Sequence, residues 1–211
     1  MEHNKAWENY FYPGTSVLIN RLDITDAKTL SIAERRITAL TIAHCRENPV
    51  KGDFDLKHLC RIHKEIFGDL YPWAGKIRNV EMAKTQPFTK AMLIPTYAEE
   101  YIFSKLKIDR FLTDVDPDEI VPKLTYYLSE LNVLHPFREG NGRTQRIFIE
   151  YLAKVAGFAV DFSTVTPEEN LKASIDSYYK EYRTMNNMFE RITKPIPPTE
   201  RIDFCEKIAS R

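Results

Sequence analysis

The residues best suited to chemistry in this chain lie between His135 and Arg146. The stretch reads His-Pro-Phe-Arg-Glu-Gly-Asn-Gly-Arg-Thr-Gln-Arg, and it combines an imidazole, a carboxylate, a Gly-Asn-Gly turn and arginines. Glycines on both sides of Asn141 allow the backbone to turn its N–H groups toward one point, as an anion-binding nest requires. A helix is expected to begin here, and its N-terminus adds positive potential at the same place. The stretch therefore predicts a phosphate-binding site.

The other side chains of this stretch have the types that chemistry on a phosphate needs. Arg143 and Arg146 are three residues apart, so they lie on one helical face and can both point at phosphates. Glu139 is a hard carboxylate of the kind that holds Mg²⁺ together with phosphate oxygens. His135 would be a general base beside the phosphate under attack. A helix–turn–helix corner with a capping histidine and exposed arginines is the structural alternative, but it does not explain why these groups occur together.

The stretch resembles the signature of the Fic (filamentation induced by cyclic AMP) family, H-P-F-x-(D/E)-G-N-G-R-x-x-R, and it matches every specified position. The resemblance implies an all-α Fic fold, which is a helical bundle with a small β-hairpin flap over the active site. It also implies transfer of AMP from ATP to a Tyr, Thr or Ser hydroxyl of a target protein. The kinase-like Doc branch has Lys where this chain has Gly142, and this difference favours AMP transfer over phosphate transfer.

The resemblance also implies a role for each motif residue. His135 would deprotonate the target hydroxyl, Glu139 would ligate the Mg²⁺ that bridges the α- and β-phosphates, and Phe137 would anchor the loop in the core. The group implied to bind the nucleotide phosphates is Gly140, Asn141 and Gly142, with Arg143 at the β-phosphate and Arg146 at the γ-phosphate. ATP and Mg²⁺ are thus the expected substrate and cofactor.

A second stretch, residues 68–78, contains Tyr-Pro-Trp-Ala-Gly-Lys and resembles the segment that leads into the flap of Fic proteins. From the residues alone, 77–82 is a β-like run, and Pro87 belongs to a turn because it cannot serve a central strand. Read this way, the segment is only a small structural hairpin. The resemblance places the flap at residues 80–91, where it would pair with an extended target segment by β-augmentation. The flap residues expected to contact the target are Val80, Glu81, Met82, Lys84, Thr85 and Phe88.

Tyr178 and Tyr179 have two interpretations. Paired aromatic residues usually belong to a core. In relatives of this type, however, a similar Ser-x-x-Ser-Tyr-Tyr stretch, here residues 174–179, lies near the nucleotide base. Either tyrosine is therefore a candidate for lining the adenine pocket.

The remaining histidines and the three cysteines show no ligand pattern. They lack partners at metal-ligand spacing, so we expect packing or solvent-facing roles and reduced thiols. These residues are His3, His44, His58, His63, Cys45, Cys60 and Cys205.

Length and charge limit the remaining possibilities. The 211 residues predict a single Fic domain over 1–198, with its core at about 17–191 and a proline-rich end. Residues 199–211 would be a tail, a docking helix or the start of a further segment. The 30 basic and 30 acidic residues cancel, which argues against nucleic-acid or membrane partners. Without a transmembrane or signal-peptide pattern, a bacterial cytoplasmic protein or an effector secreted into a host cell is expected.

Sequence patterns also predict the boundaries of most helices. Ser31 and Glu34 form a capping box at the start of the first helix. Apolar stripes predict a helix from Leu56 to Phe67 that ends at Gly68, and another over 97–112. Asp116 and Thr166, each followed by proline, open two further helices, and residues 143–156 form the helix after the motif.

Many Fic proteins carry an inhibitory helix with the pattern (S/T)-x-x-x-E-(G/N), whose Glu pairs with the second motif arginine, here Arg146. No Glu of this chain fits the pattern. Four Glu residues are followed by Gly or Asn. Glu8, Glu47 and Glu169 lack a Ser or Thr four residues earlier, and Glu139 belongs to the motif itself. The resemblance thus leads us to expect that any inhibition comes from a separate antitoxin-like protein, as in the toxin–antitoxin branch.

Two other functions remain open from the sequence. The motif specifies the phosphates better than the base. One alternative is therefore transfer from another nucleotide donor, such as UMP from UTP, phosphocholine from CDP-choline, or a phosphate group. The other alternative is a catalytically idle module that recognises a partner through the flap. An idle module has no physical need for an intact His135 and both arginines.

Overall fold

The computed structural model describes residues 6–209, and helices dominate it. They are α1 (Ala27–Glu47), α2 (Leu56–Phe67), α3 (Ile94–Tyr97), α4 (Ser104–Ile108), α5 (Ile120–Leu134), α6 (Asn141–Ala156), α7 (Pro167–Tyr178), α8 (Arg183–Ile192) and α9 (Pro198–Ile208). A π-helical turn, Ala98–Phe103, joins α3 to α4, and 3₁₀ turns lie at Ala91–Leu93, Arg110–Leu112, Pro117–Glu119 and Phe162–Thr164. Strands β1 (Phe158–Val160) and β2 (Thr193–Pro195) pair antiparallel, with Ala159 opposite Lys194. The predicted all-α class is confirmed.

Helix α6 is the centre of the bundle. Twelve of its 16 residues are buried, so it presents almost no free face. It packs against α5, α2, α9 and β1. Gly157, with φ +93°, ends it in the left-handed region, and Asn141 begins it, close to the predicted start at Arg143. The motif therefore stands at the N-terminus of the most buried helix.

The predicted capping box at the start of the first helix is wrong. Asp26 is the N-cap, and its carboxylate accepts a hydrogen bond from the Thr29 N–H at 2.8 Å. Ser31 therefore lies inside α1 rather than at its start. The Glu34 carboxylate is bonded to side chains of other segments and does not reach back to a helix end.

The other predicted helices are present, with one change. Thr166 and Gly68 cap their helices as expected. Asp116 caps the 3₁₀ turn Pro117–Glu119, and α5 itself begins after Glu119. The single helix predicted over 97–112 begins earlier, at Ile94, and its regular part ends at Ile108. Residues 110–112 have φ values of +51°, +53° and +59°, and such left-handed values cannot continue a right-handed helix.

The flap exists as a short loop rather than as a paired ladder. A single bridge joins Ala83 to Pro87, and the Phe88 N–H donates to the Met82 carbonyl at 3.1 Å. The strand predicted at 77–82 does not form. Arg78 donates from its guanidinium to the carbonyls of Val80 and Thr89, which holds both ends of the loop in place.

The C-terminal segment packs on the body of the protein. Helix α9 buries Phe204 and Ile208. Arg201 donates to the carbonyls of Val155 and Thr113 at 2.8 and 2.6 Å, and the Gly52 N–H donates to Ile208 at 3.1 Å. Of the alternatives for this segment, residues 198–208 form a docking helix. Within residues 6–209, the helices are too short or too polar for a bilayer crossing.

Candidate active site

His135 stands at the turn between α5 and α6. It is the C-cap residue of α5 and has the left-handed φ of +43°. Its N–H donates to Leu131 and its carbonyl accepts from Arg78 Nε at 2.8 Å. The Phe88 ring of the flap lies parallel to the imidazole, with 3.6 Å between ring centroids and an interplanar angle of 6°. The flap thus covers one face of the histidine.

The imidazole of His135 is held in its neutral form. Burial lowers its pKa to about 3, and the positive charges of Lys84 and Arg78 act in the same direction against the backbone of Asn132. The side chain is 7% exposed, and Nδ1 has no hydrogen-bond partner among the described residues. A neutral imidazole with an unused nitrogen can accept a proton at neutral pH.

The loop after His135 is locked by the Asn141 side chain. Its Oδ1 accepts from the Phe137 N–H at 2.9 Å, and its Nδ2 donates to the Phe137 carbonyl at 2.7 Å. Phe137 is 1% exposed, as expected for an anchor of the loop. Asn141 therefore has only its backbone N–H to offer a ligand, whereas its side chain serves the loop.

Gly140 allows α6 to start in this position. Its φ is +81°, and a Cβ at this residue would lie 2.3 Å from the Phe67 ring, so only glycine fits. No side chain caps the start of α6. Because the first N–H groups of a helix lack helical acceptors, this end of α6 has the donors and the positive potential that favour an anion.

His63 was expected to be a packing or surface residue, but it orders the motif loop. It is fully buried between the rings of Phe137 and Phe67, at centroid distances of 3.9 and 4.8 Å. Nδ1 accepts from the Gly75 N–H at 2.8 Å, so Nε2 carries the proton that bonds the Glu139 carbonyl at 3.0 Å. Burial lowers the pKa of His63 to about 4.

His58 is buried as well, whereas His44 is exposed and His3 lies outside the described residues. The contacts of His63 with Phe137 and with the Glu139 carbonyl join residues that are distant in sequence, and spacing could not reveal them.

Arg78 is a second residue that sequence reasoning missed. It is 2% exposed and donates to three carbonyl groups, those of His135, Val80 and Thr89. Its backbone N–H also donates to the Pro136 carbonyl at 2.9 Å. A planar guanidinium can reach several acceptors at fixed angles, so Arg78 ties both ends of the flap to the motif.

The two motif arginines differ in their surroundings. Arg143 donates to Glu34 at 2.7 Å and to Thr38 at 3.3 Å, and it lies 3.6 Å from Glu139. Within residues 6–209, Arg146 makes neither an ion pair nor a hydrogen bond. Burial and the nearby charge of Arg143 lower the pKa of Arg146. Arg146 is therefore a cation in need of an anionic partner.

A cavity of about 450 Å³ extends from the motif toward α7. His135, Gly142 and Arg146 line its motif end, together with Lys84, Thr85, Gln86 and Phe88 of the flap. The far end is formed largely by apolar and amide side chains, namely Leu128, Phe162, Val165, Leu171, Ile175 and Asn170. The charged end suits phosphates and the far end suits a heterocyclic base. Glu139, Gly140, Asn141 and Arg143 do not line this cavity.

Tyr178 and Tyr179 connect α7 to the flap. The Tyr178 hydroxyl donates to the Pro87 carbonyl at 3.2 Å, and the amide of Gln86 donates to the Tyr179 hydroxyl. Tyr178 also lines the cavity, whereas Tyr179 does not and is 57% exposed. Of the two candidates for an adenine pocket, the geometry supports Tyr178 and argues against Tyr179.

The flap residues expected to meet a target divide into two groups. Glu81, Lys84 and Thr85 are exposed, and Met82 and Phe88 are half-buried. Val80 is 1% exposed, so its side chain offers no surface to a target.

Among the described residues there is no cluster of three His, Cys, Asp or Glu side chains that could hold a metal alone. Glu139 nevertheless fits Mg²⁺, which proteins commonly hold through one or two carboxylates plus substrate phosphates. Its side chain is 45% exposed, and Oε1 accepts from the Gly140 N–H at 2.9 Å, which fixes the carboxylate beside the start of α6.

Known proteins share both the sequence and the fold. Residues 53–153 match the Fic/DOC family. Protein adenylyltransferase VbhT of Bartonella schoenbuchensis is 37% identical over 203 residues, which are 96% of this chain but 42% of VbhT. The "Probable protein adenylyltransferase Fic" of Salmonella typhimurium is 32% identical over 192 residues, which are 90% of this chain and 94% of that protein.

Solved structures agree. The BepC protein of Bartonella tribocorum with bound AMPPNP has a TM-score of 0.82 at 28% identity, covering 90% of this chain and 98% of its own. The N-terminal Fic domain of a putative cell filamentation protein from Bartonella quintana with bound ADP has a TM-score of 0.84 at 28% identity, covering 92% and 98%. The motif, the fold and the full-length match to the Salmonella protein lead to one conclusion. This chain belongs to the Fic/DOC family.

Proposed function

We propose that this protein is a protein adenylyltransferase that transfers AMP from ATP to a Tyr, Thr or Ser hydroxyl of a target protein. The observation that carries the proposal is a neutral, buried His135 in one cavity with the unpaired Arg146 and with Gly142 of the first, uncapped turn of α6. The relatives support it, since VbhT is named a protein adenylyltransferase and two similar structures hold ADP or AMPPNP.

The reaction requires little beyond positioning and charge. The target hydroxyl oxygen attacks the α-phosphorus, the bond from that phosphorus to the β-phosphate oxygen breaks, and pyrophosphate leaves. His135 takes the hydroxyl proton. Its low pKa keeps the imidazole unprotonated before ATP binds, and the negative charge of bound ATP favours the imidazolium once the proton moves.

The phosphates would lie across the start of α6. The backbone N–H groups of Asn141 and Gly142 point out of the helix end, and Arg146 supplies an uncompensated charge for the γ-phosphate. Arg143 would hold the β-phosphate. Mg²⁺, held by Glu139, would supply further neutralisation of phosphate charge. Gly142 leaves room next to Arg146, whose NH1 is 3.4 Å from where a Cβ would be.

The base would enter the far end of the cavity, between Phe162 and α7. Tyr178 would line this end and also hold the flap through Pro87. The cavity volume of about 450 Å³ falls within the range of small-molecule sites, and a nucleotide of the size of ATP fits that range.

The target would bind through the flap. Glu81, Lys84 and Thr85 are exposed, and Phe88 lies over His135, so a segment paired with the flap would pass close to the base. Main-chain pairing of this kind selects an extended segment and reads few of its side chains.

A separate inhibitor is the second partner that we propose. Arg146 lacks an acidic partner within residues 6–209, and no Glu of the chain fits the inhibitory pattern. An antitoxin-like protein that places a carboxylate on Arg146 would block the γ-phosphate position. This arrangement suits a bacterial cytoplasmic toxin or an effector delivered to a host cell. A pull-down from the native host that recovers no inhibitor, together with unrestrained activity there, would contradict it.

Mass spectrometry of host-cell lysate tests the enzymatic proposal. Lysate incubated with the protein, Mg²⁺ and ATP should show an adduct of AMP on a hydroxyl side chain. His135→Ala should remove the adduct while ATP binding, measured by calorimetry, is retained. Adducts from UTP or CDP-choline in place of ATP would instead support another donor. If target capture survives but no donor yields an adduct, the idle module is the better description.

A further inference from the structure

Glu34 of α1 makes direct contact with the motif, although it lies 109 residues away from Arg143 in sequence. Its Oε1 accepts from Arg143 NH2 at 2.7 Å, and its Oε2 accepts from the Tyr71 hydroxyl. Thr38, one helical turn further along α1, accepts from Arg143 NH1 at 3.3 Å. Both carboxylate oxygens of Glu34 are thus engaged, and the arginine is held by two residues of one helix.

Arg143 lies between two carboxylates that differ in distance and burial. Glu34 is at 2.7 Å with 17% of its side chain exposed, whereas Glu139 is at 3.6 Å with 45% exposed. A charge-assisted hydrogen bond at 2.7 Å is the stronger of the two contacts. Glu34 therefore sets where the guanidinium lies.

We propose that Glu34 is a positioning residue that keeps Arg143 at 3.6 Å from Glu139, beyond hydrogen-bond distance, so that the Glu139 carboxylate remains available to a divalent cation. The inference rests on the proposed function, since it assigns the cation to Glu139 and the β-phosphate to Arg143. Glu34 and Thr38 each accept one hydrogen, from NH2 and NH1 respectively, so the Arg143 Nε–H and one hydrogen on each amino group remain for the nucleotide.

Removal of Glu34 should redirect Arg143. In Glu34→Ala, the guanidinium loses its nearer carboxylate and pairs with Glu139, which then binds a cation less well. In Glu34→Gln, the amide oxygen can still accept from Arg143 without the charge, so the effect should be smaller. The Mn²⁺ affinity of the nucleotide complex should fall about tenfold or more in Glu34→Ala, as is typical of residues that orient a metal ligand.

The test measures binding rather than turnover. Mn²⁺ is titrated into the protein saturated with AMPPNP, and free Mn²⁺ is followed by electron paramagnetic resonance. Glu47→Ala is the matched control. Glu47 is an exposed residue of the same helix, and its substitution removes the same charge. It should leave the Mn²⁺ affinity unchanged. Circular dichroism shows whether each variant is folded. If Glu34→Ala is not folded, the Mn²⁺ titration is made with Glu34→Gln instead.

A double-mutant cycle separates positioning from general destabilisation. If Glu34 acts through Arg143, Glu34→Ala should have no further effect on Mn²⁺ affinity in an Arg143→Ala background. Equal affinity in Glu34→Ala and the wild type, or an equal loss in both backgrounds, would overturn the inference. A wild-type protein that binds neither AMPPNP nor Mn²⁺ would instead overturn the proposed function, and the inference with it.

Discussion

His63→Phe isolates the contribution of one buried histidine to the motif loop. Phenylalanine keeps an aromatic ring between Phe137 and Phe67, so the stacking at 3.9 and 4.8 Å is largely retained. The substitution removes both hydrogen bonds of the imidazole. The Gly75 N–H and the Glu139 carbonyl then have no partner in the core.

The expected loss of stability follows from these two groups. Each buried backbone group without a partner costs about 1–3 kcal/mol, so the free energy of unfolding should fall by roughly 2–6 kcal/mol. This is a large part of the 5–15 kcal/mol that is common for a domain, and urea unfolding at low temperature measures it. The Glu139 carbonyl also loses its anchor, and the affinity for AMPPNP with Mg²⁺ should fall about tenfold or more.

His58→Phe is the matched control. His58 lies on the same helix and is also fully buried, and its ring nitrogens bond the Val50 carbonyl at 2.7 Å and the Phe54 N–H at 3.2 Å. Its loss should cost a similar amount of stability without weakening nucleotide binding, since neither partner belongs to the motif. Equal nucleotide affinities in the two folded variants would refute the role assigned to His63.

Three further predictions use the same kind of measurement. Gly140→Ala places a Cβ 2.3 Å from the Phe67 ring at a φ of +81°, so thermal unfolding should show a loss of about 2–5 kcal/mol from strain and overpacking. As the pH falls from 6.5 toward about 4, the free energy of unfolding should decrease, because His63 is protonated in the unfolded chain but not in the folded one. The part due to His63 is roughly 3 kcal/mol, and His63→Phe should remove it from the pH dependence measured by urea unfolding. Tyr178→Phe removes the hydrogen bond to the Pro87 carbonyl, so trypsin should cleave faster at Lys84 of the flap with little change in overall stability.

Each of these three has an outcome that would contradict it. Gly14→Ala, at φ +73° with open space around the Cβ, should cost only about 1–2 kcal/mol, so an equal loss at Gly140 would show that the Phe67 contact is unimportant. If the free energy of unfolding of His63→Phe changed with pH as steeply as that of the wild type, the pH dependence would belong to groups other than His63. Unchanged cleavage in Tyr178→Phe would show that this hydroxyl does not hold the flap.

The sequence predicts the helix–loop–helix of the motif and the helix caps, because residues close together in the chain determine these features. The glycines around Asn141 and the apolar residues of α5 and α6 specify a helix–loop–helix without help from the rest of the chain. Thr166 and Asp116 cap helices through contacts two or three residues away. The contacts of Glu34 and His63 with the motif span 109 and 76 residues, so neither spacing nor periodicity could reveal them.

The two motif arginines show how much of the site depends on those distant contacts. By spacing they are equivalent, yet Arg143 is neutralised by Glu34 at 2.7 Å and Arg146 is not paired by any described residue. A half-buried cation without a partner is costly, and burial and the neighbouring Arg143 already lower the pKa of Arg146. An incoming anion therefore gains most at Arg146. The γ-phosphate of ATP and the carboxylate of an inhibitor would compete for the same charge, so a substitution at Arg146 should weaken both, whereas one at Glu34 should alter nucleotide and metal binding alone.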